Sequence, residues 1–135
     1  MQKATLIFLL WVIPLALAGC GGKPAEPQVV MDEPVPPGAE DAIVVELEFT
    51  ADEIIPKEVT IPANKKVLFV IYNSDTKPGD KHEDHNLVAP DIGLKEILVV
   101  SGQTVRRLWE GYGTPGEYRL GCTIHSWIDM TLVVK

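Results

Sequence analysis

Apolar and polar residues alternate along the chain from Ile43 onward, with the two-residue period of a half-buried β-strand. The clearest run places Ile43, Val45, Leu47 and Phe49 on one face and Val44, Glu46, Glu48 and Thr50 on the other. The segment 67–72 is apolar on both faces, which is typical of a central strand. Further strands are predicted at 59–61, 94–100, 105–110, 117–122 and 131–135.

Turn residues separate these short runs, for example at Pro78-Gly79 and Ser101-Gly102. No stretch carries a convincing apolar stripe with the 3.6-residue period of a helix. Seven or so short strands in the 94 residues from 42 to 135 therefore predict an all-β fold, a β-sandwich.

The first twenty residues have a different pattern. An apolar run from Thr5 to Ala18 follows Lys3 and is too short to span a bilayer comfortably. It ends in Leu17-Ala-Gly-Cys20, which resembles the lipobox of bacterial lipoproteins, where cleavage before the cysteine leaves it as the lipidated N-terminus. The alternatives are a core helix or an uncleaved membrane anchor. We predict a signal peptide at 1–19, a lipidated Cys20 and a place in the cell envelope, facing the periplasm or the cell exterior.

Residues 20–41 are predicted to form a linker between the lipidated Cys20 and a folded domain at 42–135. Five of the 11 prolines of the chain lie in residues 21–41, together with four acidic residues before Asp41, and hydrophobic periodicity is absent. Proline favours extended backbone, so this segment is expected to hold the domain off the lipid surface.

Composition and charge narrow the possible functions. The 135 residues are 46% hydrophobic and 23% charged, as in ordinary folded domains. The net charge is -7, and it becomes -8 when Lys3 is removed with the signal, so nucleic acid is not an expected partner. Two cysteines cannot build a disulfide framework or a four-thiolate zinc or iron–sulfur site. With Cys20 lipidated, Cys122 remains as a single thiol.

The segment from Gly116 to Met130 carries the candidate chemistry. Cys122 ends a predicted strand, His125 follows after two residues, and Met130 comes five positions later. Thiolate, imidazole and thioether at such spacing can converge on one ion, and this soft donor set suits copper. A second imidazole would have to come from His82 or His85, the other two histidines. The alternative role for Cys122 is structural, as a small buried apolar residue.

These features together resemble the cupredoxins, the plastocyanin- and azurin-like blue copper proteins. The resemblance covers residues 42–135. It rests on a list of matching residues: Pro56, Val59-Thr-Ile61-Pro-Ala, Val67, Tyr72-Asn73-Ser-Asp75, His85-Asn86-Leu87, Gly116-Glu-Tyr118 and Cys122-x-x-His125. It implies a Greek-key sandwich of about seven to eight strands with one type 1 copper ion, held by His85, Cys122 and His125. It also implies that the backbone N–H of Asn86 donates to the thiolate.

The resemblance implies Met130 as the axial ligand, but the spacing is ambiguous. Short-loop members carry methionine where Ile128 stands, and counting back from the last strand places Met130 where glycine is expected. Asp129 or a backbone carbonyl is the alternative axial donor. His82 matches no ligand of the family and is expected to be a loop residue.

Three functions are compatible with these residues. The first is an exported, membrane-tethered one-electron carrier that docks transiently with redox protein partners through Trp127 and Ile128, with Asp80, Glu83 and Asp84 attracting a basic partner. The second is a copper chaperone, scavenger or assembly factor. The third is a structural module without metal, or with zinc bound by the cysteine, two histidines and either His82 or Asp129. We do not expect an enzyme, since three histidines are too few for multicopper catalysis.

Overall fold

The computed structural model describes residues 28–75 and 83–135, which form nine β-strands in two sheets. The first sheet has the order β2–β1–β4–β7 and consists of β1 (Ile43–Phe49), β2 (Ile54–Ile55), β4 (Val67–Asn73) and β7 (Thr104–Trp109). The second has the order β3–β9–β8–β5–β6 and consists of β3 (Glu58–Ile61), β5 (His85–Ala89), β6 (Leu94–Val99), β8 (Gly116–Gly121) and β9 (Asp129–Val134). A single 3₁₀ turn, Pro90–Ile92, links β5 to β6.

The inward faces of the strands form one apolar core, as the alternating pattern requires. In β1 the residues Val45, Leu47 and Phe49 are buried, on the face that the sequence predicts. Strand β4 lies between β1 and β7, so the prediction of a central strand at 67–72 is confirmed. The all-β sandwich predicted from the sequence is therefore confirmed.

Two strands were not expected from the apolar pattern. Strand β2 has only two residues, which is too short to show a period, and β5 lies at the His85-Asn86-Leu87 motif, where no strand was predicted. Strand β9 begins at Asp129, two residues before the predicted start, because Met130 already pairs with Leu120 of β8. Nine strands thus stand where about seven to eight were expected.

Several strand ends meet at one end of the sandwich, which we call the upper end. Strand β4 runs parallel to β1 and antiparallel to β7, so Phe49, Asn73 and Thr104 lie together. His85 begins β5, and Cys122 directly follows the last residue of β8. Residues from both sheets therefore come together at the upper end.

The described residues include a segment that precedes the first strand of the sandwich. Residues 28–41 belong to the predicted linker, and part of this segment runs alongside β7. The predicted signal at 1–19 and Cys20 lie outside the described residues and stay predictions. Within 28–75 and 83–135, no helix has the length and hydropathy needed to cross a membrane.

Candidate metal centre

Three side chains from two separate segments meet at the upper end. The sulfur of Cys122 lies 3.9 Å from Nδ1 of His85 and 3.9 Å from Nδ1 of His125. The three donor atoms lie within 4.8 Å of one another. His85, Cys122 and His125 are 0%, 5% and 3% exposed. The structure thus brings together the three residues that the sequence singles out, as one buried set of a thiol and two imidazoles.

The loop between β8 and β9 is closed by main-chain hydrogen bonds. The N–H of Cys122 donates to the carbonyl of Ile128 at 3.0 Å, and the N–H of Ile128 donates to the carbonyl of His125 at 2.9 Å. The N–H of His125 also donates to the sulfur of Cys122 at 3.4 Å. These bonds fix the cysteine and the second histidine relative to each other before any metal binds.

His85 is held on its other side by two buried neighbours. Its Nε2 lies 3.3 Å from a carboxylate oxygen of Asp75. Its ring stacks on Phe49, with centroids 4.9 Å apart and planes 8° from parallel. A carboxylate that accepts the Nε2 proton keeps Nδ1 unprotonated and aimed at the sulfur. Asp75 and Phe49 therefore orient His85 as a ligand.

Burial lowers the pKa of His85 from the usual 6.5, and the hydrogen bond to Asp75 acts in the opposite direction. The ring is therefore neutral at physiological pH, which is the form that binds metal ions. In the metal-free protein, the His85 ring therefore binds a proton more readily in the unfolded chain than in the folded one. Folding stability from this group is therefore lost as the pH falls below about 6.5.

Asn86 ties the two halves of the site together through its side chain. Its Oδ1 accepts the N–H of Thr123 at 2.7 Å, and its Nδ2 donates to Oγ1 of Thr123 at 2.7 Å and to Oε1 of Glu96 at 2.6 Å. Among the described residues, the backbone N–H that reaches the sulfur is that of His125. The role that we expected of the Asn86 backbone is thus not seen, and its side chain holds the cysteine loop against β5 instead.

The strand register places Ile128, and not Met130, opposite Cys122. Leu120 pairs with Met130 and Gly121 with Asp129, so Cys122, whose N–H donates to Ile128, has Ile128 opposite it. Met130 points into the core two positions farther along β9, or about 7 Å along the strand. Ile128 is fully buried. Met130 as axial ligand stays a prediction, and the register brings Ile128 nearer to Cys122 along the strands than Met130.

Of the remaining candidate ligands, Asp129 lies within the described residues. Nε of Arg119 donates to Oδ2 of Asp129 at 2.6 Å, and the cluster of possible metal-binding side chains in the described residues does not include Asp129. The candidate ligand His82 lies outside the described residues, and so does Asp80, one of the acidic residues expected to attract a basic partner. The described structure therefore offers no carboxylate as a fourth ligand at this site.

An apolar surface borders the second histidine. Trp127 is 64% exposed, and its ring meets that of His125 edge to face at 5.2 Å. Ile124 is also exposed on this loop, whereas Ile128 is buried. Trp127 thus lies at the surface as expected, and Ile128 belongs to the interior.

The sequence motif contained a signal for Asp75 that was not interpreted. Asp75 follows β4 by two residues, and its N–H donates to Oδ1 of Asn73 at 2.9 Å. Ser101 donates its hydroxyl to the Asp75 carbonyl at 2.6 Å. A buried carboxylate is costly unless it is paired, so an aspartate two residues after a central strand indicates a buried carboxylate with a polar partner.

Comparisons with known proteins agree with this fold. A sequence model of the family described as "Cupredoxin-like domain" matches residues 5–134. Auracyanin B is similar in structure, with a TM-score of 0.56 and 18% identity over 70% of this chain and 90% of its own. Auracyanin A, a "blue" copper protein from the green thermophilic photosynthetic bacterium Chloroflexus aurantiacus, has a TM-score of 0.54 and 16% identity, over 70% of this chain and 99% of its own.

A third solved structure extends the comparison. The periplasmic domain of subunit II of cytochrome oxidase from Bradyrhizobium japonicum has a TM-score of 0.56 and 12% identity, over 71% of this chain and 86% of its own. None of the curated proteins gave a significant match. At these identities the solved structures establish a shared fold.

Proposed function

Because the chain belongs to the cupredoxin family, we propose that it is an exported, membrane-tethered carrier of single electrons. His85, Cys122 and His125 form a possible copper site, since two imidazoles and one thiolate are the donors of blue copper centres. Copper, when bound there, supplies a centre that cycles between two oxidation states. The observation that carries the proposal is the buried, pre-arranged set of three donors beside the exposed Trp127.

The protein's own residues would serve electron transfer in three ways. Loop hydrogen bonds and the Phe49–His85 stack hold the ligands, so little rearrangement accompanies a change of charge. Buried Ile128 keeps water from one side of the site. Exposed Trp127, against the ring of His125, gives a partner an apolar surface close to the site, as transient complexes require.

Burial distinguishes this function from copper handling. A chaperone or scavenger must exchange its ion, which favours exposed ligands, and all three ligands here are buried. Zinc binding has less support as well, because Asp129, one of the two candidates for a fourth zinc ligand, is not part of the described cluster. Among the three functions considered, the electron carrier therefore has the most support.

An absorption spectrum tests the proposal directly. The copper-loaded protein should absorb strongly in the visible range through sulfur-to-copper charge transfer and should keep its copper through repeated reduction and oxidation. A colourless protein that binds zinc in preference to copper would reject the carrier function. The lipid anchor is tested separately by the intact mass of the protein purified from membranes, which should show acyl chains on Cys20.

Replacing Asp75 with asparagine should raise the reduction potential. The amide retains an oxygen that accepts the Nε2 proton of His85, but it removes a buried negative charge that stabilises the more oxidised state. We expect a rise of about 60 mV, which corresponds to a tenfold change in a one-electron equilibrium. Voltammetry of the copper-loaded protein measures it.

Asp84→Asn is the matched control for this charge. Asp84 is exposed, directly precedes His85 and accepts the N–H of Ser101 at 3.3 Å, and its charge raises the pKa of His85 less than Asp75 does. Water and salt screen exposed charges, so its loss should change the potential little. If both variants shift the potential equally, Asp75 has no special relation to His85.

Met130→Leu decides the axial ligand. From the register we expect the spectrum and the potential to stay as in the wild-type protein, with a stability loss below about 1.5 kcal/mol for this exchange of similar volumes. The comparison variant is Ile128→Met, which places a thioether opposite Cys122 and should lower the potential and change the colour. A changed colour and potential in Met130→Leu, with copper retained, would instead establish Met130 as the ligand.

A further inference from the structure

A short stretch of the predicted linker is bound to the sandwich. We call residues 30–33 the strap. Thr104 of β7 donates its N–H to the carbonyl of Met31 at 2.8 Å and accepts the N–H of Glu33 at 3.0 Å, and Nε2 of Gln103 donates to the carbonyl of Val30 at 2.8 Å. The strap thus adds a short parallel bridge to β7, centred on Asp32 and Thr104.

Ion pairs reinforce the strap. Arg106 pairs with the carboxylate of Asp32 and also donates to the carbonyl of Glu33. Arg107 binds the carboxylate of Glu33, with one of its bonds at 2.9 Å. This hydrogen bond lowers the pKa of Glu33, so the pair is ionised at neutral pH. Main-chain bonds and two arginines therefore hold the strap in a defined place.

The direction of the strap fixes where the chain enters the domain. Strand β7 starts at the upper end, where Thr104 pairs with Tyr72 near the end of β4. Because the strap is parallel to β7, Val30 lies at the upper end and Glu33 lies farther down. The chain then continues to Ile43, whose N–H bonds to Lys66 just before β4 begins. The chain therefore enters the domain at the end that holds the metal ligands.

We propose that the strap turns the metal-binding end of the domain toward the membrane. This inference rests on the proposed lipidation of Cys20 and deepens the proposed function. Ten peptide steps separate Cys20 from Val30, a reach of at most about 36 Å. If the opposite end of the sandwich faced the membrane, the linker would have to run past the length of the seven-residue strands, which takes up about 23 Å of that reach. The anchored domain is therefore biased toward one orientation.

Exposed apolar residues at the same end agree with this orientation. Val29, Val30 and Met31 are about half exposed where the described chain begins, and Trp127 is exposed beside His125. Apolar side chains and tryptophan are favoured near the membrane–water interface. A partner that docks on Trp127 is then itself held in or on the same membrane.

Two tryptophans on opposite ends of the domain make the orientation measurable. Trp127 lies at the upper end, and Trp109 is the last residue of β7 at the other end. Variants with one tryptophan each, Trp109→Phe and Trp127→Phe, both also carrying Trp11→Phe, would be made in the full chain. The metal-free proteins would be placed in phosphatidylcholine vesicles that contain a dansyl-headgroup lipid, and energy transfer from tryptophan to dansyl would be measured.

We expect at least twofold more efficient transfer from Trp127 than from Trp109. Equal transfer, or more from Trp109, would overturn the proposal. Arg106→Glu breaks the ion pair with Asp32 and should reduce the difference, whereas Lys95→Glu, on an exposed position of β6, should not. If Arg106→Glu does not fold, Asp32→Asn with Glu33→Gln removes this ion pair from the strap side, together with the pair between Arg107 and Glu33, and should reduce the difference at least as much. An undiminished difference in the strap variant that folds would reject the strap as its cause.

Failure of the lipid anchor is a separate result. If the intact mass shows no acyl chain on Cys20, the proposed lipidation is wrong. The same protein, loaded with metal to protect the buried Cys122, would then be coupled through the Cys20 thiol to a maleimide-headgroup lipid and stripped of metal before measurement. The orientation is thus measured with either attachment, and the two outcomes stay distinct.

Discussion

Cys122→Ser should abolish the intense visible absorption of the copper-loaded protein while the sandwich stays folded. The band arises from electron transfer between sulfur and copper, and a serine oxygen cannot supply it. The substitution is nearly isosteric, and the main-chain bond from residue 122 to Ile128 does not involve the side chain. Copper affinity should also fall, because a hydroxyl is a poor substitute for a thiolate with this metal.

Three measurements separate loss of the ligand from loss of the fold. Circular dichroism and urea unfolding of the metal-free protein should change little, whereas the visible spectrum loses its main band. Thr123→Ser, in the neighbouring position, keeps the hydroxyl that accepts from Asn86 and should leave the colour unchanged. An intense band that survives Cys122→Ser would mean that Cys122 is not a ligand.

Phe49→Ala should cost about 3–5 kcal/mol of unfolding free energy, as measured by urea denaturation of the metal-free protein. Phe49 is fully buried in the core and stacks on His85. A loss of this size is a large part of the 5–15 kcal/mol that typically stabilises a domain. The substitution also leaves a cavity beside the first histidine, so the copper spectrum should change as well.

Phe69→Ala provides the matched control for this substitution. Phe69 is equally buried, but it contacts Trp109, with ring centroids 6.0 Å apart, and lies away from the metal ligands. It should lose similar stability and keep the spectrum of the wild-type protein. If Phe49→Ala loses less than about 1 kcal/mol, or if both variants change the spectrum alike, the proposed support of His85 by Phe49 is wrong.

The sequence predicted the fold and two of the three residues of the cluster, Cys122 and His125, because these leave local signals. The two-residue period of β1 shows its buried face, and Cys122 and His125 lie within four residues of each other. His85 could be assigned only through the resemblance to a family. It is 37 residues from Cys122, and nothing in local patterning shows that two such distant segments meet.

What the sequence could not predict depends on pairing between distant segments. The Asp75–His85 contact forms because the end of β4 meets the start of β5, and the axial residue depends on the register between β8 and β9. The strap is a further example. Its proline-rich, acidic surroundings are typical of a linker, and only the arrangement of Arg106 and Arg107 on β7 shows that Asp32 and Glu33 are bound.

The strap has a second consequence, for self-association. Strand β7 is the outermost strand of its sheet, and without the strap the N–H and carbonyl of Thr104 would face solvent as an open edge. Exposed strand edges pair with other chains and start aggregation. The strap occupies these groups, and its carboxylates also neutralise the arginines beside them. The strap thereby protects the folded chain from strand exchange with neighbouring copies at this part of the β7 edge.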